Sequence, residues 1–305
     1  MPRRYKESVR LVNGHTDGIT TASFSPKGNL LATGGMDGRV CFWRVQDGEL
    51  LYSHEGDCPV LSMVWLPMAE YALMCGTKHG NIITVTITHA LDDFALNGFW
   101  AHNYPIECLA SSADRVASGA HGELKVWKWS AAAELPEPPT TLYNDHHEVL
   151  VTSLHWTPSD SHASLLMVTY MFHGVYLFET TRWNRVRSIP LPGKIASASL
   201  SEDGKYIAIS NVDRGFDVFV MASEEPLRSF EHEVGEPRAV PVLFIHGGQA
   251  IVGGSVVGKV DVWDIFLGKM PPLPIPGTFH CSAAGFGRSS SQIASTFQGT
   301  CSRRE

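Results

Sequence analysis

The densest group of side chains able to do chemistry in this chain is Asp145-His146-His147-Glu148. Imidazole nitrogens beside carboxylates can ligate a divalent metal or pass a proton. The spacing argues against both. The 305 residues include 14 histidines, yet none falls in an H-E-x-x-H or H-x-H pattern that would aim two rings at one ion. Asp92-Asp93 falls between strand-like runs and reads as a solvated turn rather than a catalytic pair. No G-x-S-x-G nucleophile motif and no phosphate-cradling glycine loop is present. The cysteines at 41, 58, 75, 108, 281 and 301 form no C-x-x-C pair, and several fall inside strand-like runs. They read as thiols of a reducing compartment. No catalytic residue, metal ligand or cofactor is therefore expected.

Two further stretches invite a binding role. Arg182-Trp183-Asn184-Arg185-Val186-Arg187 is a basic strip with an aromatic in it, read first as an outer strand that alternates exposed Arg with packed Trp183 and Val186. The run KMPPLPIPG from Lys269 to Gly277 could lie as a polyproline helix in a partner's groove, or as an edge strand that spares its donors. The formal net charge of −7 makes broad nucleic-acid affinity an unfavoured expectation. No apolar run approaches the roughly 20 residues of a membrane helix. Met1 to Val12 carries Arg3, Arg4 and Lys6 without an apolar stretch behind them, so it does not read as a secretory signal.

The elements that must position these residues repeat. Gly38, Gly80, Gly122, Gly174, Gly215, Gly258 and Gly299 recur about every forty residues in one pattern. A large apolar residue follows four or five places after six of them: Trp43, Val85, Trp127, Phe178, Phe219 and Trp263. The first unit shows the plan. Ile19 to Phe24 alternates as a strand, and Ser25-Pro26-Lys27-Gly28 turns. Leu30 to Gly34 is a second strand, and the Asp37-Gly38 hairpin leads to a third at Val40 to Trp43. Asp47-Gly48 then turns into a fourth at Glu49 to Tyr52. Four short strands per unit indicate an all-β array.

This pattern resembles the WD40 repeat family along the whole chain. The residues that carry the resemblance are Gly14-His15, Thr33, Asp37-Gly38 and Trp43, then Ala101-His102, Ser118 and Trp127, then Trp263-Asp264. The resemblance implies one domain, 1–305: a seven-bladed β-propeller with blades near 15–53, 54–101, 102–145, 146–190, 191–231, 232–278 and 279–305. Ser8 to Val12, within 5–13, is expected to close the ring as the outer strand of the last blade. That blade is incomplete, because Arg304 falls where its Trp belongs. A loop is expected over Ser130 to Thr140.

The resemblance also implies a structural tetrad of His15, Thr33, Asp37 and Trp43, complete in unit one alone. Unit two has Cys75 and Val85 instead, and unit three has His121 in place of the Asp. Unit five lacks an opening His. The expected function is a non-catalytic scaffold of the cytoplasm or nucleus that binds a protein or peptide on one face. The residues just before the hairpin turns are expected to project there: Met36, Lys78, Ala120, Phe172, Asp213, Val256 and Phe297, with Tyr104 and Arg214 beside them. The alternatives are a propeller enzyme with acids at the channel mouth and a reader of modified or acidic peptides.

Overall fold

Runs of about six apolar or β-branched residues bounded by turn signals are too short to bury anything alone, so the strands pair locally and the sheets then cover one another. The computed structural model describes residues 9–67, 69, 71–88, 93–128, 133–134, 147–158, 165–191, 193–221, 223–231, 239–255 and 260–269. Within them lie six four-stranded antiparallel sheets, each made of consecutive strands. Blade one is β1 (Ile19–Phe24), β2 (Leu30–Gly35), β3 (Arg39–Arg44) and β4 (Leu50–Glu55). Blade two is β5 (Val60–Trp65), β6 (Ala72–Thr77), β7 (Asn81–Ile87) and β8 (Phe94–Trp100). Blade three is β9 (Cys108–Ser111), β10 (Arg115–Ala120), β11 (Glu123–Lys128) and β12 (Ala133–Glu134). Blade four is β13 (Val151–Trp156), β14 (Leu165–Tyr170), β15 (Gly174–Glu179) and β16 (Asn184–Ile189). Blade five is β17 (Ile195–Leu200), β18 (Tyr206–Asn211), β19 (Gly215–Val220) and β20 (Pro226–Glu231). Blade six is β21 (Val242–Ile245), β22 (Ala250–Gly254), β23 (Val260–Asp264) and β24 (Gly268–Lys269).

The first strand of each blade lies on the first strand of the next, from β1 through β21, which is the radial arrangement of a β-propeller. Strand periodicity explains the core. In blade one, Leu30, Ala32, Val40 and Phe42 point toward blade two and bury against Val60, Met63, Trp65 and Leu73. The alternate residues Ala22, Leu31, Cys41 and Trp43 bury on the opposite face. Equivalent clusters fill the later spaces between blades. Side chains also stitch the inner strands together. Trp65 donates its indole N–H to Ser23 O at 2.8 Å, and Trp156 donates to Ala110 O at 3.1 Å. Ser62 and Ser111 hydroxyls donate to Ile106 O and Trp65 O at 2.7 and 2.8 Å. The aromatic that ends the first strand in these blades is therefore a tie as well as core.

Several expectations need correcting. The described residues hold six blades rather than seven, and residues 279–305, including Phe297, lie outside them. Of the expected closing strand, residues 9–12 are described and are not a strand. Leu11 instead packs against the Trp43 face of blade one, and a β-carbon at Gly48 would meet Val9 at 2.2 Å. The contacts described for this segment are packing contacts against blade one, and it adds no fifth strand to that sheet. The loop expected over 130–140 contains β12, which pairs with β11 through Trp127↔Glu134 and Lys128↔Ala133; the rest of it is outside the described residues. In the basic strip Trp183 is buried as expected, at 5% exposure, but Val186 is 57% exposed. The Pro-rich run lies outside the described residues beyond Lys269.

Candidate functional site

The hairpin turns between second and third strands share one face with the connections between blades, and the backbone shows why. Met36 N–H donates to Gly18 O, and Gly56 N–H donates to Gly38 O. Lys78 N–H bonds Pro59 O, while His102 N–H bonds Gly80 O. Met171 N–H bonds Leu150 O, and Ile195 N–H bonds Met171 O. Each turn is thus wedged between the connection that enters its own blade and the one that leaves for the next.

The tetrad residues fix this face from below. His15 Nδ1 is 3.0 Å from Asp37 Oδ1, and its Nε2 is 2.8 Å from Thr33 Oγ1. Trp43 donates its indole N–H to the same hydroxyl at 2.8 Å. An ionised carboxylate only accepts, so the ring proton belongs on Nδ1. Thr33 then donates to Nε2 and accepts from Trp43, and every partner is satisfied. Asp37 also accepts from the N–H groups of Thr16 and Arg39. Burial tends to raise its pKa, but the bonds from Thr16, His15 and Arg39 outweigh that and hold it below the ordinary 3.8. Gly14 precedes the histidine because a β-carbon there would strike Trp43 at 2.3 Å.

Blade three repeats the chain of bonds, against the expectation that only unit one is complete. His102 Nε2 is 2.7 Å from Ser118 Oγ, which accepts from Trp127 at 2.7 Å. The carboxylate comes from Glu123, 2.8 Å from His102 Nδ1, and not from the turn position held by His121. Glu123 begins the third strand, and its extra methylene spans the gap that Asp37 bridges from the turn. Burial raises its pKa, yet Asn103 and His102 together hold it below 4.5. In blades four and five Phe178 and Phe219 replace the indole, and the hydroxyls of Thr169 and Ser210 are buried without a hydrogen-bond partner. Neither His54 nor His147 takes a tetrad place; His54 lies tilted against Phe94 and His147 stacks on Phe172.

Relieved of a tetrad role, His121 does something else. Its φ is 56°, which lifts its ring onto Tyr104, with centroids 4.6 Å apart and planes 20° apart. Its Nε2 meets Glu148 Oε1 at 2.9 Å. His147, one residue away, stacks on Phe172 at 4.9 Å and 17°. The rings of Tyr104, His121, His147 and Phe172, with the Glu148 carboxylate between the two pairs, thereby form an arc over blades three and four. Of the residues expected on this face, Tyr104 is 44% exposed, and Lys78, Asp213 and Arg214 are exposed. Met36 and Phe172 are half-buried rather than fully exposed. Ala120 is fully buried in the cluster between blades two and three, so it does not reach the face. Val256 and Phe297 lie outside the described residues. Sequence reading singled out His147 and Glu148 as a possible metal cluster and His121 as a tetrad departure, and placed none of them on this face, although the two-residue His121-Gly122 turn, shorter than its counterparts, was a visible signal.

The far end of the axis holds a cavity of about 360 Å3 at the C-terminal ends of the first strands. Its polar lining is largely hydroxyl: Ser62 and Ser111 are committed to the carbonyls above, and Ser201 donates to Asp203 at 2.7 Å. His155 is 2.9 Å from Ala198 O, and burial lowers its pKa, so its ring is neutral there. Among the described residues Glu202 is the one carboxylate lining it, so the described lining contains no acid pair for proton transfer. Among the described residues no group of three His, Cys, Asp or Glu is placed to hold a metal ion, and no helix is long and apolar enough to cross a membrane. Burial pushes the thiols of Cys41 and Cys75 up to about 11 and about 12, which makes them unreactive.

Radial four-stranded sheets, tied within a blade by imidazole, hydroxyl, indole and carboxylate, define a repeat β-propeller of the WD type. The family description "WD domain, G-beta repeat" matches residues 6–44, which supports a repeat of the WD40 type in this part of the chain. It is similar to the Small ribosomal subunit protein RACK1z of Arabidopsis thaliana, 39% identical over 67 residues, covering 22% of this chain and 20% of that protein. It is 25% identical over 281 residues to the human Angio-associated migratory cell protein, covering 84% of this chain and 60% of that one. The chain thus spans at most about three fifths of either relative. The solved structure described as "Structure of U3-55K" shares the fold at a TM-score of 0.71 and 16% identity, covering 88% of this chain and 85% of that one.

Proposed function

We propose that this propeller is a non-catalytic scaffold of the cytoplasm or nucleus that holds an extended segment of a partner protein across the arc over blades three and four. The observation that carries this reading is the pair of stacked contacts, Tyr104 on His121 and His147 on Phe172, linked by the 2.9 Å contact between His121 Nε2 and Glu148 Oε1. Rings held in advance by stacking lose little entropy when a ligand covers them, and aromatic groups make effective anchors. Glu148 and the His rims supply acceptors and donors for a peptide backbone. The names of two similar proteins point to a ribosomal subunit and to migratory cells.

An acidic-peptide reader would need Lys78 and Arg214 to converge. They stand on blades two and five, on either side of the arc, so this reading has less support. The test compares the wild-type chain with a Tyr104→Ala/His121→Ala/Phe172→Ala variant in quantitative affinity capture. The expected outcome is loss of at least one bound protein, with the thermal melt little changed. An identical set of captured proteins on a folded variant would reject this face.

A further inference from the structure

Strand β8, Phe94-Ala95-Leu96-Asn97-Gly98-Phe99-Trp100, differs from every other outer strand described. It is seven residues long and contains no charge and no proline. The outer strand β4 ends in Glu55, β16 carries Arg185 and Arg187, and β20 carries Pro226, Arg228 and Glu231. Strands β12 and β24 are two residues each. Charges, prolines and shortness are how sheet edges avoid pairing with other chains. β8 has none of these defences, and it exposes Leu96 at 37% and Trp100 at 60%.

The open edge can be assigned. Thr88 N–H donates to Asp93 O, and Ala101 N–H donates to Gly80 O. Hydrogen-bonded pairs alternate in an antiparallel ladder, so Ala95, Asn97 and Phe99 turn their backbone groups toward β7. Phe94, Leu96, Gly98 and Trp100 turn theirs outward. Phe94 faces blade one, 4.6 Å from Tyr52, and Phe99 faces blade three, 4.9 Å from Trp127.

We infer that β8 pairs with β8 of a second copy of this chain, antiparallel about a two-fold axis at Asn97, joining two blades into one eight-stranded sheet. The strand is self-complementary in this register. Phe94 of one copy falls opposite Trp100 of the other, and Leu96 falls opposite Gly98, where a β-carbon would have only ordinary contacts at 3.5 Å and beyond. These are the four residues whose backbone groups point outward, so hydrogen bonding and side-chain fit select one register. A chain of net charge −7 repels its copy in general, and this uncharged strip is where two copies meet without like charges opposed. One strand pair falls below the roughly 1,200 Å2 of a standard interface, so the dimer is weak and reversible.

Sedimentation of the full chain over about 10–200 µM tests this, as does site-directed cross-linking. The weight-average mass is expected to rise from the monomer's 33.4 kDa toward twice that value. Asn97→Lys, which sets two cations on the axis, should keep the chain monomeric at every concentration with an unchanged melt. Residues facing each other at a non-hydrogen-bonded pair lie about 4.5 Å apart, within disulfide reach. With diamide as oxidant, Asn97→Cys should give a covalent dimer and Ala95→Cys should not. A wild-type chain that is monomeric throughout, an Asn97→Lys chain that still dimerises, or equal cross-linking from positions 95 and 97 would each overturn the inference.

Discussion

A buried hydroxyl contributes or costs according to what surrounds it, and this chain contains both cases at equivalent positions. The Thr33 hydroxyl is bonded to His15 and Trp43, whereas the Thr169 hydroxyl has no partner. Thr33→Val should cost about 1–3 kcal/mol, and Thr169→Val should be neutral or stabilising, because only the first strands a buried partner. Urea unfolding of the two variants measures the contrast. The carboxylates that anchor the imidazoles set an acid limit. Asp37 and Glu123 are held below 3.8 and 4.5 in the folded chain. A depressed folded pKa adds stability that is complete above the unfolded value and is lost as pH falls through the folded one. The melting temperature should therefore drop below about pH 4. In Asp37→Asn/Glu123→Gln it should start lower at pH 7 and fall less on acidification, as calorimetry across pH 2–7 would show.

At the scale of the element, the outer hairpins carry one informative exception. Four residues beyond the end of β3 and of β23 stand Gly48 and Gly268, with φ of 75° and 98°. The same place after β15 holds Trp183, at φ 54°. A bulky side chain in the left-handed region costs about 1–2 kcal/mol, which here is offset by burying the indole against Phe178 and its neighbours. Trp183→Ala should lose about 3–5 kcal/mol of burial. Trp183→Gly should lose about 1 kcal/mol less, since glycine takes this φ without strain. The inverted order of Gly and Ala, read by denaturant titration, is the signature of the backbone conformation.

Across the whole molecule each blade touches only its neighbours, so stability need not be even. Blades one and three have complete imidazole links, while blade five has Phe219 and an unpaired Ser210 hydroxyl in their place. Amide exchange should be slowest in β2 and β10 and faster in β18, and His102→Ala should speed exchange in blade three well before blade five. Equal protection of all central strands would show that the ring opens as one unit. The N-terminal segment matters on the same logic: Val9→Ser/Leu11→Ser should loosen blade one, whose Trp43 face it covers.

The strand plan, the hairpin turns and the first tetrad were legible in the amino-acid sequence, because each depends on a few neighbouring residues: Asp-Gly for a tight turn, alternation for a two-sided strand, Gly-His placed against a Trp. The arc on the candidate face was only half legible. Tyr104 and Phe172 stood out by position, but their partners His121 and His147 did not. Only the tertiary structure decided that Glu123 and not a turn residue reaches His102, that Ala120 points into the core, that residues 9–12 lie along blade one without forming a strand, and that the described residues form six sheets stacked in sequence order. These outcomes turn on distances between blades, where one methylene or one residue of turn length changes which atoms meet, and local chemistry does not specify such distances.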